Sequence, residues 1–163
     1  MSTLVANQHG SYGHPDDPGE PSTGVSRISV TDAEANLLAE LARGRWVLEI
    51  GTGLGVSTKA LARYAIKVAT LDIDPWVQQN IWPTLPESIS CFSDRAGVPA
   101  PFDMVFIDGS HKPEDFLEDV RYAEQMCPTG MIVAHDADEL AAHISFDWYR
   151  INTRYGLAIE VRA

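Results

Sequence analysis

Five apolar runs of this chain break off at groups that can carry chemistry: Glu49, Asp72, Asp94, Asp108 with His111 three residues on, and the adjacent pair His135 and Asp136. Carboxylates accept hydrogen bonds and ligate hard cations, and an imidazole changes charge near neutrality. Any one of these is what a strand-ending turn uses anyway. Together they mark the edge of a sheet at which ligands gather. The first run, Trp46 to Ile50, passes directly into Gly51, Gly53 and Gly55 and then into a helix starting near Val56. Without Cβ atoms the backbone there can take unusual dihedrals and approach a ligand closely, while the helix start offers its free N–H groups. Glycine turns also serve merely to reverse a chain. What makes this one a nucleoside site is Asp72, about 20 residues beyond the first glycine, where a carboxylate meets ribose hydroxyls.

The elements that must position these groups read as an alternation. Thr31 and Glu34 form a capping box for a helix from Asp32 to about Arg43, with Ala35, Leu38, Ala39 and Ala42 on one face and Gly44 past its end. Strand Trp46–Ile50 is followed by a helix over Val56–Ala65 with Ala60, Leu61 and Tyr64 inward, then by strand Lys67–Leu71. Pro75 opens a short helix that Pro83 stops, and strands follow over Ser88–Phe92 and Phe102–Ile107. Only about nine residues join those two strands, fewer than a parallel crossover needs, so the usual helix there is missing or reduced. An amphipathic helix spans Pro113–Met126 with Phe116, Leu117, Val120 and Ala123 inward. Strand Met131–Ala134, a short helix near Ala137–Ala142, and two strands over Ile144–Ile151 and Leu157–Val161 complete the chain. The fold class is α/β: a doubly wound, Rossmann-like, mostly parallel sheet with a C-terminal antiparallel hairpin.

Here the chain resembles the class I S-adenosylmethionine-dependent methyltransferases. The stretch Leu-Glu-Ile-Gly-Thr-Gly-Leu-Gly-Val-Ser-Thr (48–58) looks like their first motif and Leu-Asp-Ile-Asp-Pro (71–75) like their second. Segments 102–111 and 128–136 resemble the small-molecule O-methyltransferase branch, including catechol-type and macrolide-sugar enzymes. The resemblance implies S-adenosylmethionine as cofactor, with Glu49 near its methionyl amino group, Gly51 and Gly53 in close backbone approach, Ser57 at its carboxylate, Asp72 on the ribose and Asp94 at the adenine amino group. It also implies Asp108 and Asp136 as ligands of Mg2+ or another divalent cation, and His111 as a general base that works beside Asp108. Such a cation would lower the pKa of a bound hydroxyl and aim its oxygen at the methyl group. The chain departs from the branch where the third ligand belongs: His135 precedes the second acid and Ala137 follows it, which leaves open a softer ion or none.

Size and charge narrow the functions. At 163 residues one domain fits, over 27–163, preceded by a mobile arm over 1–26 that carries Pro15, Pro18, Pro21 and the solvated His9 and His14. With 12 basic against 23 acidic residues and a net charge of -11, a nucleic-acid partner is not expected. Cys91 and Cys127 have neither disulfide nor zinc spacing, and no apolar run is long enough for a membrane span. A cytoplasmic enzyme acting on a small-molecule substrate is expected, with a cover for the cleft left to the arm or to a second subunit in a homo-oligomer. The competing readings are a non-catalytic binding module and an NAD- or other nucleotide-binding domain of the same fold.

Overall fold

The computed structural model describes residues 29–140, 142–144 and 147–163. The arm expected over 1–26 lies outside the described residues. Seven strands form one sheet: β1 (Trp46–Ile50), β2 (Lys67–Leu71), β3 (Ile89–Phe92), β4 (Met104–Ile107), β5 (Gly130–Ala134), β6 (Tyr149–Ile151) and β7 (Leu157–Arg162). Their spatial order is β3-β2-β1-β4-β5-β7-β6. The first five run parallel, β7 pairs antiparallel with β5, and β6 pairs antiparallel with β7, so the expected terminal hairpin is present. The strand order reverses between β1 and β4, and a crevice opens there at the carboxyl ends.

Helices α1 (Asp32–Leu41), α2 (Val56–Leu61), α3 (Pro75–Asn80) and α4 (Pro113–Met126) cover the two faces. Alternate residues of each strand face opposite sides, which divides the core. Val47, Met104, Phe106, Val133 and Leu157 pack with Leu38 of α1 and Leu61 of α2. Leu48, Ile50, Val105, Ile107 and Ile132 pack with Phe116 and Ala123 of α4. Burying each large side chain of these sets contributes roughly 1.5–3 kcal/mol. The link from β3 to β4 contains only a 3₁₀ turn, Arg95–Gly97, as the short spacing required.

Three local expectations are corrected. Helix α2 stops at Leu61, and Tyr64 is 44% exposed, lying under the Arg43 guanidinium instead of in the core. Residues 137–140 form a turn instead of a helix, because the Ala137 and Asp138 amides donate to Gly156 and Tyr155 carbonyls and tie the segment to the β6–β7 loop. Strand β6 covers Tyr149–Ile151 alone, and Ile144 is buried in the core beneath α4. Cys91 and Cys127 are both free thiols. No helix among the described residues is long and apolar enough to cross a membrane.

Candidate active site

The glycine turn is welded to its neighbours. Gly51 has φ +92°, and a Cβ on it would stand 2.1 Å from the carbonyl oxygen of Asp108 on the adjacent strand. Gly53 and Gly55 also lie in the left-handed region. The Asp72 carboxylate closes the turn from β2: its Oδ2 accepts from the amides of Thr52 at 2.9 Å and Gly53 at 3.1 Å. Its Oδ1 accepts from the Asp74 amide. Beneath the turn Glu49, 0% exposed, accepts from the Thr58 hydroxyl at 2.5 Å and the Thr70 hydroxyl at 2.6 Å, while its Oε1 has no partner. The hydroxyls of Thr70 and Thr52 lie 2.7 Å apart, so Glu49 braces the turn through them. Burial pushes the Glu49 carboxyl up to about 7, against the hydrogen bonds it receives from Ser57, Thr58 and Thr70.

Across the crevice the ends of β4 and β5 carry a second cluster. Nδ1 of His135 lies 3.1 Å from Asp108 Oδ1 and 2.9 Å from Asp136 Oδ2. Its Nε2 is 3.4 Å from Glu34 Oε2, close enough for charge attraction but not aligned for a hydrogen bond. Burial works against charge on His135, yet the carboxylates of Asp108, Asp136 and Glu34 outweigh it and the ring is pushed up to about 12. Asp136 is the only described non-glycine residue with positive φ, 53°, a strained conformation of the kind held at functional sites. Burial raises its carboxyl, but His111 and His135 overcome this and hold it well below the ordinary carboxylate range. His111 Nε2 lies 3.0 Å from Asp136 Oδ2, and Nδ1 lies 3.4 Å from Glu139. Asp136 raises the imidazole of His111 to about 8 despite partial burial.

These walls enclose a cleft of about 780 Å3, within the range of small-molecule sites. Gly51, Gly53, Asp72, Asp108, His111, His135 and Asp136 line it, so two motifs far apart in sequence face one space. A profile of a methyltransferase-domain family matches residues 48–137, more than half of the chain. The chain belongs to this methyltransferase family. No curated protein sequence matches it. Among solved structures it is similar to the putative methyltransferase yhhF from Escherichia coli, at 17% identity and a TM-score of 0.64 over 82% of this chain and 87% of that one. It is similar to the tRNA (m1A58) methyltransferase TrmI from Aquifex aeolicus, at 15% identity and a TM-score of 0.61 over 81% and 69%. The N-methyltransferase NodS from Bradyrhizobium japonicum WM9 aligns at 16% identity and a TM-score of 0.58 over 78% and 93%. At such identities the likeness shows the fold, and family and fold together support S-adenosylmethionine-dependent methyl transfer.

Three residues expected at the cofactor stand outside the walls of the methyltransferase cleft. Glu49 and Ser57 lie buried behind the turn, and the exposed Asp94 caps the 3₁₀ turn by accepting from the Ala96 and Gly97 amides. The walls contain groups that the sequence reading passed over. Asp119 projects from α4 into an ion pair with Arg95, and burial together with Asp115 raises its carboxyl to about 6 against the pull of Arg95. It follows Phe116 by one helical turn, on the inward face, which was the available signal.

The two acids expected to hold a divalent cation can be tested against the donor set. Asp108, His135 and Asp136 bring one ligand-type atom each within 4.8 Å of one another. Asp108 and Asp136 would each offer an oxygen to a hard cation, whose remaining positions waters or a substrate hydroxyl would fill. The facing oxygens of both acids meet His135 Nδ1, and Asp136 Oδ2 also meets His111.

Proposed function

We propose that this methyltransferase methylates a hydroxyl of a small molecule, with S-adenosylmethionine as donor and His111 as the base that takes the hydroxyl proton. The observation that carries the reading is the bond of Asp72 to the amides of Thr52 and Gly53. Those amides are the groups a dinucleotide's pyrophosphate would need, and here a carboxylate takes them and adds its own negative charge. Asp74, Asp108, Asp115, Glu118, Asp119 and Asp136 share the same walls, so the cleft suits a phosphate-free nucleoside bearing positive charge. When bound, S-adenosylmethionine supplies an electrophilic methyl group on a sulfonium.

The protein's own part follows from its geometry. Nε2–H of neutral His111 donates to Asp136, which fixes the tautomer and leaves the Nδ1 lone pair for the incoming proton. Glu139, next to Nδ1, favours the imidazolium that forms. Asp72 and the glycine turn hold the nucleoside end, and Glu49 keeps that turn in place.

TrmI of Aquifex aeolicus is by name a tRNA methyltransferase, which raises an RNA acceptor as a second reading. The acidic cleft and the net charge of -11 oppose it, because an RNA backbone binds by releasing counterions to basic side chains. The test is calorimetry with S-adenosylmethionine and with NAD, followed by transfer of a labelled methyl group to a panel of catechols, sugars and tRNA. Binding of the methyl donor but not of NAD, and label recovered on oxygen, is expected. Binding of NAD alone, or label on tRNA alone, would overturn the reading.

A further inference from the structure

The link from β4 to α4, residues 108–112, carries His111 at the wall of the cleft. The imidazole is 46% exposed, so packing alone does not fix it. Its neighbours on both sides are tied down instead. Ser110 donates its hydroxyl to Asp115 Oδ2 at 2.8 Å, and the same oxygen accepts from the Lys112 amide at 3.2 Å. His111 therefore stands at the apex of a small loop that one serine closes. Asp115 belongs to the first turn of α4, and Asp119 follows it by one helical turn on the same side. A Cβ on Gly109 would lie 2.8 Å from Asp119 Oδ2, so the link rests directly against that second acid. Asp119 is itself held by Arg95, whose guanidinium lies 4.8 Å from the centre of the Tyr122 ring.

We infer that Asp115 is a positioning residue: through the Ser110 hydroxyl it closes the link around His111 and holds the imidazole in its place beside Asp136. A hydroxyl engaged in two bonds ties three residues at once. Donation to Asp115 fixes the Ser110 rotamer, and that rotamer aims a lone pair at the Lys112 amide. Without the carboxylate the hydroxyl can turn to its own backbone or to water, and the chain gains freedom on either side of an exposed side chain. The same bonds help to start α4, because Lys112 at its N-cap has no side-chain bond to offer. Starting a helix and placing a base make different demands. A helix tolerates a displacement of about an ångström in the chain before it, whereas proton transfer does not. That His111 is the base rests on the proposed function; that Asp115 holds its ring does not.

The test uses the full chain as wild type, Asp115→Ala, Asp115→Asn and Ser110→Ala. Two quantities are measured: the ring carbon–proton resonance of His111 in histidine-labelled protein at one fixed pH, assigned by its absence from His111→Ala, and kcat for methyl transfer. Both Asp115 variants lose the same negative charge from the cleft, so the difference between them isolates the hydrogen bond, which the Asn oxygen can still accept. In Asp115→Ala and Ser110→Ala the resonance is expected to move toward that of free histidine and kcat to fall about tenfold or more. Asp115→Asn is expected to restore most of both, and the double variant of Asp115→Ala with Ser110→Ala to be no worse than Ser110→Ala alone. A resonance that stays in place in Asp115→Ala would overturn the inference. So would an Asp115→Asn as impaired as Asp115→Ala, or losses that multiply in the double variant. If circular dichroism shows Asp115→Ala unfolded, the resonance of Ser110→Ala decides: displaced, it supports the inference, and unmoved, it overturns it. A wild type that transfers no methyl group, but whose ring resonance responds as described, loses the proposed function and keeps this inference.

Discussion

Gly51 and Asp108 are in backbone contact: a Cβ on the glycine would lie 2.1 Å from the aspartate's carbonyl oxygen. This contact joins the two halves of the cleft, since β1 carries the turn and β4 carries the acid. Gly51→Ala must push β4 aside as well as hold φ at +92°. A loss of about 3 kcal/mol is expected from strain and overpacking combined. Gly44→Ala is the control, because Gly44 has φ +70° but nothing within 4 Å of a new Cβ, so only the left-handed penalty of about 1–2 kcal/mol applies. Urea midpoints measure both. Equal losses would show that the Gly51 contact gives way freely.

His111 predicts a pH profile. A base must be neutral to accept a proton, and Asp136 raises this imidazole to about 8. The kcat/KM should therefore climb with pH and level off above about 8, where an ordinary histidine would level off near 6.5. Asp136→Asn should move the inflection down, and His111→Ala should abolish it while leaving donor binding intact. The raised value has a stability side too: the His111–Asp136 pair is fully present below the unfolded pKa and is lost as pH rises through about 8. A profile that stays level between pH 6 and 9 would remove the base assignment.

Much of this was legible before any coordinates. The limits of α4, Pro113 and Met126, follow from a proline that starts a helix and an amphipathic stripe that ends at Pro128. The glycine turn and Asp72 declare themselves by spacing. Glu34 could not be found this way, because its capping-box role with Thr31 fully accounts for it locally, and His135 lies about 100 residues downstream. Tyr64 misled because an aromatic at helical spacing reads as core, whereas the helix ends early and Arg43 offers the ring an exposed partner. The turn after Asp136 misled similarly: its composition suits a helix, but its amides are claimed by a loop that only the folded sheet brings near.

Glu49 predicts a second pH effect of definite sign. Burial raises its carboxyl from 4.5 to about 7, so the folded state holds a proton that the unfolded state releases. Stability should fall as pH rises from 4.5 through 7, by on the order of 3 kcal/mol for a shift of that size. Glu49→Gln has no proton to lose, and its carbonyl can still accept from Thr58 and Thr70. Urea unfolding at pH 5 and pH 8 should show the wild type losing more stability than the variant. Parallel losses in the two proteins would mean that Glu49 is ionised throughout.

Glu34 should be the most costly acid of α1 to remove, although Glu40 lies on the same helix and also carries an ion pair. Glu40 meets Arg43 on the surface, where both side chains are more than half exposed and solvent screens them. Glu34 is 0% exposed, and its loss uncaps α1, strands the Thr153 hydroxyl and Tyr155 amide, and leaves the His135 charge without its rear counter-ion. Glu34→Ala should cost about 3–5 kcal/mol, as breaking a buried pair does, whereas Glu40→Ala should leave the urea midpoint nearly unchanged. Burial opposes the Glu34 charge, but His135, Thr153 and Thr31 overcome it and lower the carboxyl to about 2. Its contribution is thus present above pH 4.5 and is lost only as pH falls toward 2, so acid unfolding of the wild type should begin later than that of a variant in which His135 has been removed. Comparable losses for Glu34→Ala and Glu40→Ala would mean that Glu34 serves only as a helix cap and does not anchor the ring.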